Sequence, residues 1–82
     1  MTISCDVYKS PGKEDYYLYV QAEDGLSRVP AELLKQFGDL EKALSFELDE
    51  DRRLAREDPA IVMQNLKDKG YHLQLPPGDI RS

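Results

Sequence analysis

The chain has 82 residues, 40% hydrophobic and 33% charged, with 16 acidic against 11 basic side chains and a formal net charge of −5. A chain this short builds one modest core, so a substrate domain beside a cofactor domain is excluded and a deep enclosed site is disfavoured. The acidic balance repels nucleic-acid phosphate on average and leaves only local basic patches for such a partner.

Read in order, Ile3, Cys5 and Val7 alternate with Ser4, Asp6 and Tyr8, the period of two expected of a strand with one buried face. Lys9-Ser10-Pro11-Gly12-Lys13 supplies a turn, and Tyr16-Tyr17-Leu18-Tyr19-Val20 suits a second strand, so a β-hairpin is expected. That aromatic run is also the longest apolar stretch, far short of the roughly 20 residues that cross a bilayer. No signal peptide or anchor is therefore expected. After the break at Glu23-Asp24-Gly25, Pro30 and Gly38 bracket a first helix near Pro30 to Phe37, with Leu33, Leu34 and Phe37 as its apolar stripe.

Leu44, Phe46 and Leu48 alternate with Ser45 and Glu47 as a third strand. The mixed-charge stretch Asp49 to Glu57 reads as a solvated connection from which Leu54 dips inward. Asp58 is a suitable N-cap, Pro59 a suitable first residue and Gly70 a terminator, which predicts a second helix over Asp58 to Lys69 with Val62, Met63 and Leu66 inward. Tyr71, Leu73 and Leu75 then alternate with His72 and Gln74 as a fourth strand, and Pro76-Pro77-Gly78 ends regular structure. The expected fold is one small α/β (α+β) domain over residues 1–76 in the order β-β-α-β-α-β, a four-stranded sheet packed by two helices, with a tail at 77–82. Alternation in three of the four strands argues for a sheet with one well-buried face, and strand order stays open.

Five segments in order, Cys5 to Ser10 (C-D-V-Y-K-S), Tyr17 to Val20 (Y-L-Y-V), Ser27 to Pro30 (S-R-V-P), Arg53-Leu54-Ala55 and Gly70 to Pro77 (G-Y-H-L-Q-L-P-P), resemble the YcgL family of small bacterial proteins. The resemblance implies an α/β/α sandwich and a cytoplasmic protein of gammaproteobacterial origin. It brings no assigned activity with it.

Candidate chemistry is sparse. His72 is the single histidine and Cys5 the single cysteine, so an internal disulfide is excluded and a zinc site would need carboxylates at spacings the sequence lacks. Nucleophilic catalysis needs a base and an orienting group beside the nucleophile, and one histidine offers at most one such arrangement. The five glycines stand apart and build no phosphate loop, and the acidic clusters lack the alternating pattern of a calcium loop. His72, on the polar face of its strand, is expected to face solvent or be hydrogen-bonded, and Cys5 to be a buried, inert thiol.

A further set comprises Tyr8, Lys9, Lys13, Tyr17, Tyr19, His72 and Gln74, several of which strand alternation directs to the face opposite the core. Aromatic and basic residues on a sheet stack single-stranded nucleic acid or dock a protein, unless a helix simply covers the tyrosines. Arg28, inside S-R-V-P, reads first as an ion pair or carbonyl contact that fixes its loop and second as a cation facing a partner. The leading expectation is a non-enzymatic cytoplasmic protein-interaction module without cofactor or metal. An RNA-binding or RNA-metabolism role is the alternative, and a small enzyme ranks third.

Overall fold

The structure is a computed structural model that describes residues 2–11, 13–49, 51 and 58–74, excluding the side chains of 13–15. Two strands, β1 (Ile3–Ser10) and β2 (Lys13–Gln21), form the expected hairpin and occupy the middle of a four-stranded sheet. After β2 come α1 (Ala31–Phe37), β3 (Glu41–Leu48), α2 (Pro59–Asp68) and β4 (Tyr71–Gln74). The spatial order is β3-β1-β2-β4 and every neighbouring pair is antiparallel. The expected succession of elements is thus the observed one. Leu54 and most of the connection around it, Leu75 and the tail lie outside the described residues.

Local chemistry accounts for the helix limits. The Asp58 carboxylate accepts the Ala60 N–H at 2.9 Å, a capping bond that satisfies one of the orphan donors at the start of α2. At its other end Gly70 adopts φ 91° and its N–H reaches the Asn65 carbonyl at 3.2 Å. Few residues other than glycine take such a backbone angle without strain. Strand β3 begins three residues before the alternation that signals it. Its register with β1 shifts between Val7↔Leu44 and Tyr8↔Lys42, so Ala43 is an extra residue that breaks the period of two.

The sheet is buried on both faces, which corrects the expectation of a single well-buried face. Ile3, Cys5, Val7, Tyr19 and Leu48 pack with Val62, Met63 and Leu66 of α2 on one side. On the other, Leu18, Val20 and Val29 form a second cluster against which Leu33 and Leu34 of α1 pack. The cause is β2, whose run Tyr17-Leu18-Tyr19-Val20 is apolar at successive positions and therefore feeds both faces. Strands β1 and β3 do alternate, so the layer beneath α1 turns polar where they run.

Candidate functional site

Backbone register decides which of the candidate side chains can meet. Across β1, β2 and β4, Lys9 stands opposite Tyr17, Val7 opposite Tyr19, Tyr17 opposite Gln74 and Tyr19 opposite His72. Directly opposed residues project from the same side of a sheet. Lys9, Tyr17, Tyr19, His72 and Gln74 therefore share the α2 face with Cys5 and Val7, rather than the face opposite the core. Tyr8 points the other way, half-buried against the cluster beneath α1, and the side chain of Lys13 lies outside the described residues.

Most of that set is closed off by α2. Tyr19, His72 and Gln74 are buried, Tyr17 is half-buried and Lys9 is exposed. The Tyr19 hydroxyl donates to Gln74 Oε1 at 2.7 Å, and the Asn65 amide nitrogen lies 2.8 Å from His72 Nδ1. With that amide donating, the ring proton sits on Nε2. The rings of Tyr19 and His72 meet edge to face with centroids 5.7 Å apart. Since buried polar groups cost free energy unless bonded, these contacts read as a seam that joins β2 and β4 to α2. The expectation of a solvent-facing His72 is corrected, and its hydrogen-bonded alternative is what the structure contains.

Cys5 is 1% exposed, and burial, reinforced by the neighbouring Asp6 charge, pushes its thiol up from 9.0 to about 12. A thiol held protonated in a packed core is a poor nucleophile and a poor metal ligand. Among the described residues, no group of three or more His, Cys, Asp or Glu side chains could hold a metal ion.

Arg28 makes both of the contacts that its structural reading offers as alternatives. One guanidinium nitrogen lies 3.5 Å from Asp24 Oδ2, and the other donates to the Lys67 carbonyl at 3.4 Å. Its stem lies over Gly70, where an added Cβ would stand 2.5 Å from Arg28 Cβ. The side chain thus fastens the loop before α1 to the C-terminal end of α2, where a cation also complements the helix dipole.

Among the described residues an open surface lies where the sequence pattern singles out no site. Ser4 opposes Glu47 and Asp6 opposes Ser45 between β1 and β3. The Ser4 hydroxyl donates to Glu47 Oε2 at 2.6 Å, the Ser45 hydroxyl to Asp6 Oδ1 at 2.7 Å, and Lys42 Nζ lies 3.4 Å from Asp6 Oδ2. Ser4, Asp6, Ser45 and Glu47 thus make a polar ladder on the face of the sheet opposite α2, lining a shallow depression of about 210 Å³. It adjoins an open cleft of about 670 Å³ bounded by Thr2, Gln21, Glu23 and Lys67. Strand β3 is the outer strand here, and Leu44 is 51% exposed on it. That Ser4 shares a face with Asp6, and Ser45 with Glu47, is visible in the sequence from their alternation with apolar residues. Their pairing is not, because it depends on strand order.

Comparison with known proteins adds a family. The profile described as the YcgL domain matches residues 5–77. The chain is similar to the YcgL domain-containing protein PSEEN4034 of Pseudomonas entomophila, at 53% identity over 75 residues, covering 92% of this chain and 77% of that protein. A YcgL domain-containing protein of Azotobacter vinelandii is 51% identical over 77 residues, covering 94% and 79%. One from Cellvibrio japonicus is 48% identical over 80 residues, covering 98% and 82%.

Proposed function

This chain belongs to the YcgL domain family, and from that premise we propose that it is a non-enzymatic protein-interaction module whose working surface lies on and around β3. The observation that carries this reading is the exposure of Leu44, a large apolar side chain at 51% on an outer strand whose opposite face carries the hydrogen-bonded polar ladder. An exposed large apolar side chain on an outer strand is the kind of anchor an interface buries at its centre. The non-enzymatic part is supported by the fate of the reactive groups. His72 is packed under α2, Cys5 is held as a thiol, and Asp6 is already matched by Ser45 and Lys42. A preorganised site needs such groups turned toward a substrate.

Protein is preferred to RNA as the partner because a stacking platform needs an accessible ring, and Tyr19 is 7% exposed. The test is photo-crosslinking in living cells from a reactive amino acid placed at position 44, with exposed Gln36 on α1 as the control position. A defined protein captured from position 44 and absent from position 36 is the expected result. Identical, diffuse products from both positions would defeat the reading.

A further inference from the structure

Strand β3 uses one of its two backbone edges. Among the described residues its neighbour is β1, and nothing pairs with the outer side. An open edge presents unpaired N–H and C=O groups that template another strand, and native sheets guard such edges with charges and bulges. Here the bulge at Ala43 and the charge of Lys42 interrupt regular pairing in the first half of the strand, and Glu47 is the charged residue of the second half. From Leu44 to Leu48 the register with β1 is unbroken.

The pleat fixes what a strand added there would meet. Leu44, Phe46 and Leu48 stand on the α2 face opposite Val7, Cys5 and Ile3, whereas Ser45 and Glu47 stand on the other face opposite Asp6 and Ser4. Glu47 is exposed, and its recorded partner is the neutral Ser4 hydroxyl. Glu47 is in neither of the ion pairs that join Arg28 to Asp24 and Lys42 to Asp6. The edge therefore offers alternating apolar positions and one carboxylate.

Resting on the interaction reading above, we propose that the outer edge of β3 from Leu44 to Leu48 receives an antiparallel extended segment of the protein partner, with apolar side chains opposite Leu44 and Phe46 and a lysine or arginine opposite Glu47. Backbone bonds supply the attachment in this mode and alternate side chains supply the selectivity. The Lys or Arg completes a cross-strand charge pair.

The experiment is a titration of the isotope-labelled chain with a blocked peptide of sequence Val-Lys-Val-Thr-Val at physiological salt, read by amide chemical shifts. Shifts should concentrate on β3 and β1. Replacing the peptide lysine by glutamate should weaken binding about tenfold, and the Glu47→Lys variant should recover affinity for that glutamate peptide. N-methylation of the peptide amides facing β3 should abolish binding, which a merely electrostatic contact would survive. Leu44→Lys, at an exposed position, should also remove it while leaving the rest of the spectrum in place. Undiminished binding of the N-methylated peptide, shifts centred on α1 or β4, or no binding at millimolar peptide would each overturn the proposal. A peptide failure alongside a persistent cross-link at position 44 overturns this inference alone, whereas loss of that cross-link overturns the reading beneath it.

Discussion

At the scale of single residues, two positions have consequences that follow from their surroundings. Gly70 combines φ 91° with Arg28 packed where a side chain would go. Gly70→Ala should therefore cost about 1–3 kcal/mol, and more than Gly25→Ala, whose site is open. Part of that cost should disappear when the same change is made in an Arg28→Ala background, because the contacts to Nε at 2.6 Å and Cδ at 2.8 Å are then gone while the one to Cβ remains. Denaturant melts of the four-member cycle measure the coupling, and strictly additive losses would show that Arg28 does not rest on Gly70. Cys5 gives a pH signature. Its folded pKa of about 12 stands above the ordinary 9.0, so the unfolded chain loses its proton first as pH rises. The contribution is complete below about pH 9 and is lost toward pH 12 at about 1.4 kcal/mol per unit. Stability of the wild type should fall more steeply across that window than that of Cys5→Ala, and parallel curves would contradict the burial of the thiol.

At the scale of elements, α2 is the piece whose stability can be apportioned. Its inner residues Val62, Met63 and Leu66 close one core, and Leu66 is fully buried. Leu66→Ala should cost about 2–5 kcal/mol by lost transfer and cavity formation, against about 1 kcal/mol for removing the Asp58 cap. Equilibrium unfolding ranks them, and a larger loss at Asp58 would mean that α2 is held by its cap rather than by packing. This helix was the element most legible in the sequence, because Asp58-Pro59 and Gly70 are chemical signals read locally. The first half of β3 was not, since the bulge at Ala43 shifts the alternation on which strands are recognised. The polar ladder was hidden for another reason. Ser4 and Glu47 lie 43 residues apart, and nothing local states that β3 crosses to the far side of β1. The side on which Tyr19 and His72 lie was misjudged likewise, because a strand apolar on both faces gives no sign of which face a helix will cover.

At the scale of the whole molecule, the two cores are not independent. Leu18 and Val20 feed one while Tyr19, between them, feeds the other, so β2 belongs to both. The chain should unfold in a single cooperative transition, with far- and near-ultraviolet circular dichroism coincident and the calorimetric and van't Hoff enthalpies equal. Two separated transitions would show that the layers are held separately. A domain locked in this way keeps its histidine and cysteine inside and turns β3 outward, which is the physical core of the interaction reading. The most direct test takes the protein captured from position 44 and compares its affinity for the wild-type chain and for Leu44→Lys, with melting temperatures measured alongside. Binding should weaken about tenfold or more while the melting temperature stays within a few degrees. Equal affinity for both chains would contradict the interaction reading.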